Sequence, residues 1–294
     1  MPAIATIGFG EAGQAFVSGW KSEKTGVSLD RISTFDIKVE NPSLRSDLLQ
    51  ACEDLGVDCA ETPEAALAGA GAVFSLVTAD RALEAAARVA EFLGSDTLYL
   101  DCNSCSPATK AAAARLVEAA GGAYVDVAVM APVRPGLHRT PLLISGPAAE
   151  RAQRLLLDLG MKVQTAGDTI GQASSIKMLR SVMIKGLEAL TAECLLAARR
   201  AGVEKAVLAS LQASDPGIDW TARAAYTLER MMVHGRRRAA EMQEVAATLR
   251  ELGLPDRMAL ATVDWQRQIG GLDILAQESS LEQRVDLILE HNLT

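Results

Sequence analysis

Apolar residues in the first half of the chain come in short runs, separated by stretches where they recur at helical spacing. Residues 3–9, AIATIGF, predict a buried strand and residues 11–22 a helix. RISTFDI at 31–37, GAVFSLV at 71–77 and DTLYLDC at 96–102 predict three more strands. ADRALEAAARVAEFL at 79–93 is helical, and SPATKAAAARLVEAAG at 106–121 opens with Ser106 as N-cap and Pro107 at the first helical position. AYVDVAV at 123–129 and TPLLISG at 140–146 are strand candidates around a loop rich in proline and arginine, MAPVRPGLHR. This alternation predicts a parallel sheet with helices on both faces.

The pattern changes after MKVQTAG at 161–167. From residue 168 on, the periodicity is helical and no convincing strand occurs. Residues 170–202 predict one helix of about 30 residues, longer than the globular average. The expected organisation is an α/β domain over 1–167 and an all-helical domain over 168–294, linked by a long interdomain helix. There is no internal repeat and no low-complexity segment.

Composition narrows the classes. The 294 residues suffice for two domains, and 49% hydrophobic with 22% charged residues is ordinary for a soluble globular protein. Aromatics make up only 4%, so alanine- and leucine-rich helix packing is expected. A net charge of -8 argues against nucleic acid or an anionic membrane as partner. No apolar run reaches the ~20 residues of a membrane span, and no charged, apolar leader precedes the first strand. A cytoplasmic protein is expected. The five cysteines form no disulfide framework in so long a chain. Cys102 and Cys105 are spaced C-x-x-C, but nothing completes a zinc site, so buried or half-buried thiols and no metal are expected.

The first strand runs into Gly8-Phe9-Gly10-Glu11-Ala12-Gly13, the spacing G-x-G-x-x-G, directly before a helix. In that setting Gly8 permits the tight turn, Gly10 lets backbone approach a pyrophosphate, and Gly13 lets the helix pack closely. Asp36 ends the second strand roughly 20 residues on, where a carboxylate accepts hydrogen bonds from ribose hydroxyls and repels a 2′-phosphate. NAD is therefore favoured, with NADP kept open by the nearby Lys38 and Arg45. Asn103 and Ser104 follow a strand end, where they either face a ligand crevice or do local turn work. Lys177 lies in the first turns of the long helix, with Ser181 four residues on and on the same face. A lysine partly buried there suits acid–base chemistry, although an exposed helix lysine gives the same local pattern.

The ordered set of G-F-G-E-A-G, Val77-Thr78, D-C-N-S-C-S-P, D-V-A-V-M at 126–130 and G-x-x-x-x-x-K resembles the β-hydroxyacid dehydrogenase family, which includes 6-phosphogluconate and 3-hydroxyisobutyrate dehydrogenases. The stretch 234–255 is similar to a phosphogluconate-dehydrogenase-like branch with its own helical C-terminal domain. The resemblance implies a Rossmann N-terminal domain, a homodimer, and NAD(P)-dependent hydride transfer on a hydroxyacid-like alcohol or carbonyl in a cleft between the domains. It implies cofactor roles for residues 8–13, Asp36, Lys38, Val77, Thr78 and Asn103. It also implies that Lys177 is the general acid or base, with Ser181 and Asn103 orienting the substrate oxygen and Ser104 meeting substrate or nicotinamide. Three departures stand out. Ser181 replaces an asparagine. Met130, Ala131 and Pro132 replace the serine and glycines of the carboxylate pocket. Ala240-Glu241 replaces a Lys-Asp pair. Met130 thus suggests a more apolar substrate wall, Arg134 a new anionic anchor, and Arg236, Arg237 and Arg238 either a substitute charge or a solvated face. An imine reductase-like enzyme and a non-catalytic nicotinamide-binding protein are the alternatives.

Overall fold

The computed structural model describes residues 3–22, 31–274 and 280–291. The chain divides into two compact units, Met1–Met178 and Leu179–Thr294. The first unit runs β1 (Ala3–Ile7), α1 (Glu11–Ser22), β2 (Ile32–Phe35), α2 (Pro42–Asp54), β3 (Asp58–Cys59), α3 (Pro63–Leu67), β4 (Ala70–Ser75), α4 (Ala82–Ala90), β5 (Leu98–Asp101), α5 (Pro107–Ala119), β6 (Ala123–Val129), β7 (Leu142–Ser145), α6 (Ala149–Asp158) and β8 (Val163–Gly167). The long helix α7 (Gln172–Arg200) begins in this unit and continues into the second. There follow α8 (Glu204–Ser214), α9 (Trp220–Glu251), α10 (Arg257–Gly270) and α11 (Leu281–Leu289). Among the described residues beyond Gly167, none forms a strand.

The strands make one sheet in the order β3-β2-β1-β4-β5-β6-β7-β8. Every neighbouring pair is parallel except β6 and β7. That exception departs from the all-parallel expectation. Between Val129 and Leu142 there is only a loop with a short 3-10 turn, Leu137–Arg139, and no crossover helix, so the chain returns antiparallel. The order reverses between β1 and β4, which opens a crevice at the C-terminal ends of the strands.

The apolar runs overshoot the strands by about two residues, because residues past the last ladder bond stay packed. Phe9 is buried, and Leu76 and Val77 pack on the core from a half-buried position. Ser106 caps α5 by accepting from the Thr109 N–H at 3.2 Å, with Pro107 next in line. The few aromatics concentrate: Trp20 and Phe16 of α1 meet Phe74 of β4, with ring centroids 5.1 and 6.5 Å apart.

In the second unit α9 and α10 cross at two glycines. A Cβ on Gly235 would lie 2.3 Å from the Gln266 carbonyl, and one on Gly270 would lie 2.5 Å from the Arg236 nitrogen. Leu228, Met231, Ile269, Val285 and Ile288 fill the core of this unit. Helix α7 buries Ser181, Lys185 and Glu188 beside apolar residues such as Met178, Ala192 and Leu195, while Ile176, Leu179, Met183 and Leu190 are exposed. No helix among the described residues is long and apolar enough to cross a membrane.

Candidate active site

The glycine loop leaves β1 with Gly8 at φ +90°, and a Cβ there would lie 2.7 Å from the Leu76 carbonyl and 3.1 Å from Val77 Cγ1. No L side chain fits that turn without displacing the β4 loop. A Cβ on Gly10 would meet nothing within 4 Å, so the tip of the loop is open. One on Gly13 would meet the Gly8 carbonyl at 3.0 Å, so the close packing there is against the loop itself. The first helical N–H to find a backbone acceptor is that of Gln14, on Gly10 at 3.0 Å. The N–H groups of Glu11, Ala12 and Gly13 have no backbone acceptor among the described residues. An open tip beside unpaired helix-start donors fits a pyrophosphate.

Asp36 stands at the end of β2. Its Oδ2 accepts from the Phe9 N–H at 2.7 Å and its Oδ1 from the Lys38 N–H at 3.0 Å. The carboxylate thus clips the glycine loop to the second strand. Lys38 is exposed, while Arg45 is engaged by Glu61 and by the Val39 carbonyl.

From the ends of β4 and β5 the chain brings Val77 and Asn103 together. Val77 donates its N–H to Asn103 Oδ1 at 2.8 Å. Asn103 Nδ2 donates to Ser75 Oγ at 2.9 Å and to Asp101 Oδ1 at 2.7 Å. Both amide protons of this buried side chain are therefore spent on protein. Thr78 is exposed. Ser104 next door is half-buried, and Lys177 Nζ donates to its Oγ at 2.5 Å. Residues 73 positions apart thus meet above the strand ends.

Beneath them lies a network that sequence reasoning passed over. Lys110 is fully buried, donates to the Asp101 carbonyl at 2.6 Å, and pairs with Asp101 Oδ1 at 3.0 Å and Asp126 Oδ1 at 3.5 Å. Burial opposes its charge, but Asp101 and Asp126 outweigh that and raise its pKa above the usual lysine value. Tyr124 donates to Asp101 Oδ2 at 2.6 Å. In sequence Lys110 looks like any lysine in the first turns of a helix, so no local signal marks it.

Met130 is half-buried, its N–H donating to the Pro141 carbonyl at 2.9 Å, and Arg134 is exposed. Cys102 and Cys105 are buried and unbridged, their thiols directed at the Leu100 and Ala79 carbonyls. Burial pushes the Cys102 thiol up to about 12, the opposite of an activated redox cysteine. Cys194 departs from the expectation of buried or half-buried thiols: it lies on the outer side of α7 and is exposed.

In the second unit Ser181 is buried one turn beyond Lys177 along α7. Arg237 Nη1 pairs with Glu241 Oε1 at 2.5 Å, Arg236 with Asp273 at 2.6 Å, and Arg238 with Glu188. All three arginines thus have acidic partners within the unit. Lys185 of α7 pairs with Glu241 Oε2 at 2.7 Å. The cation absent from position 240 is therefore supplied to Glu241 from another helix.

A glycine turn at the switch point of such a sheet defines a dinucleotide-binding fold. Residues 3–167 match the NAD binding domain of 6-phosphogluconate dehydrogenase, and the chain belongs to that family. Residues 198–269 match a domain of unknown function, DUF1932. A conserved hypothetical protein of Sinorhizobium meliloti is 36% identical, with 99% of this chain and 96% of that one covered and a TM-score of 0.75. The 3-hydroxyisobutyrate dehydrogenase of Mycobacterium tuberculosis, solved with L-serine, shares the fold at 15% identity, with 97% and 98% covered and a TM-score of 0.73. An uncharacterized 28.5 kDa protein of Methanothermus fervidus is 27% identical over 173 residues, which span 59% of this chain and 65% of that protein.

Proposed function

We propose that this chain is an NAD-dependent oxidoreductase that moves hydride between the nicotinamide and a hydroxyacid-like alcohol or carbonyl. The observation that carries the reading is the Lys177–Ser104 contact at 2.5 Å, beside the Asn103–Val77 hydrogen bond that joins the ends of β5 and β4. Residues 1–167 form the cofactor domain and 168–294 the substrate and dimerisation domain in this reading. Residues 8–13 hold the pyrophosphate, Asp36 and Lys38 flank the adenine ribose, and Val77 and Thr78 flank the nicotinamide end. When bound, the nicotinamide supplies the hydride acceptor or donor. Lys177 handles the proton. As a neutral amine it takes the hydroxyl proton in oxidation, and as an ammonium it returns one in reduction. Ser104 and Ser181 orient the substrate oxygen. Asn103, with its amide protons already used, acts by holding Val77 and Ser104 in place. Met130 and Arg134 line the substrate side.

A hydride-transfer screen over hydroxyacids, sugar acids and bulkier β-hydroxy compounds, with both cofactors, tests this reading. Turnover of at least one compound is expected. Cofactor binding without turnover across the panel would favour a non-catalytic nicotinamide-binding protein.

A further inference from the structure

We propose that Lys110 is a positioning residue for the Lys177 chemistry, the charge that ties the Asn103–Ser104 loop and the start of α7 into one frame. The inference rests on Lys177 being the acid–base group. Lys110 serves two carboxylates, each of which holds one of the two segments that meet at the Lys177–Ser104 contact. On one side Asp101 Oδ1 accepts from the Asn103 N–H at 3.0 Å and from Asn103 Nδ2 at 2.7 Å. Ser104 follows directly. On the other side Asp126 Oδ2 accepts from the Gly171 N–H at 3.2 Å, the Ser174 N–H at 3.0 Å and Ser145 Oγ at 3.3 Å. The Gly171 and Ser174 N–H groups are donors at the positive end of α7, and Lys177 sits within one turn of them. Ser145 Oγ also accepts from the Ala173 N–H at 3.0 Å.

The electrostatics need the cation. Asp101, Asp126 and Lys110 are all excluded from water. Two carboxylates so placed repel each other. The ammonium hydrogen-bonds the Asp101 carbonyl and pairs with Asp101 Oδ1 at 3.0 Å and Asp126 Oδ1 at 3.5 Å, which offsets that repulsion. With Lys110 present both carboxylates keep their grip. Without it the loop and the helix start lose their common reference, and a displacement of about 1 Å between acid–base group and partner costs on the order of 100-fold in rate.

Amide hydrogen exchange on the full chain tests this without any substrate. Lys110→Met is expected to speed exchange about tenfold or more, equivalent to about 1.4 kcal/mol, in both 101–104 and 171–174. Exchange over residues 8–14 and NADH affinity by fluorescence should stay within about twofold, a factor well under that 1.4 kcal/mol. Tyr124→Phe, which removes only a bond to Asp101, should loosen 101–104 alone. Ser145→Ala should loosen 171–174 alone. If Lys110→Met does not fold, Lys110→Met with Asp101→Asn removes one charge of each sign and with it the repulsion between the carboxylates; 171–174 should then exchange near the wild-type rate, and loosening there would overturn the proposal. Unchanged exchange in both segments, or a uniform rise across the first unit, overturns the proposal. With a compound that turns over, kcat of Lys110→Met should fall about tenfold or more at an unchanged KM for NADH. In a Lys177→Ala background it should fall no further, whereas a merely structural effect would add. Wild-type turnover in Lys177→Ala would instead overturn the acid–base reading, and it would leave the exchange result standing.

Discussion

Asp36 shapes the local fold, and the proposed cofactor selectivity follows from how it is held. Its two oxygens hold the backbone N–H groups of Phe9 and Lys38, so the carboxylate is fixed where β2 ends. A 2′-phosphate brought there meets a buried negative charge that cannot turn away. Arg45 does not relieve it, because Glu61 and the Val39 carbonyl already occupy its guanidinium. Only the exposed Lys38 works in the other direction. We therefore expect NADH to bind about tenfold or more tightly than NADPH, since juxtaposed like charges cost several kcal/mol and about 1.4 kcal/mol already makes that ratio. Fluorescence titration of the two cofactors reads it. Tighter NADPH binding would contradict the assignment.

At the scale of elements, α7 is the unusual piece. Its buried side carries Ser181, Lys185 and Glu188, and its open side carries Ile176, Leu179, Met183 and Leu190 at spacings of three, four and seven residues. That is a coiled-coil seam left exposed among the described residues. A second copy presenting the same stripe would cover it by two-fold symmetry. Sedimentation equilibrium at micromolar concentration should give a dimer, and Met183→Glu should shift it toward monomer. A monomeric wild-type chain would contradict this. The sequence pattern revealed the length of α7 and most strands, because period and capping are local properties. It did not reveal the antiparallel direction of β7, since a two-residue period is the same in both directions. Nor did it reveal that these polar residues of α7 face inward, because Lys185 and Glu188 are buried through partners on α9 and α10.

For the molecule as a whole, the cofactor cradle was the most legible part. Strand, glycines, helix and Asp36 follow one another, and their geometry depends on little else. The proposed acid–base site was legible only as separate residues. Lys177 and Ser104 come together because Asp126 of β6, the strand beside β5, holds the start of α7, a long-range arrangement that no local window contains. Asp101 and Asp126 stood in motifs read from the sequence, but their link through Lys110 was illegible for the same reason. Each looks ordinary until three elements converge. In the proposed reaction Lys177 performs the proton step beside a bound nicotinamide. That role is tested most directly by comparing wild type and Lys177→Ala for turnover and for NADH affinity. We predict that the variant loses turnover by about 100-fold or more, the range for a general acid–base group, with NADH affinity nearly unchanged. Wild-type rates in Lys177→Ala would contradict it.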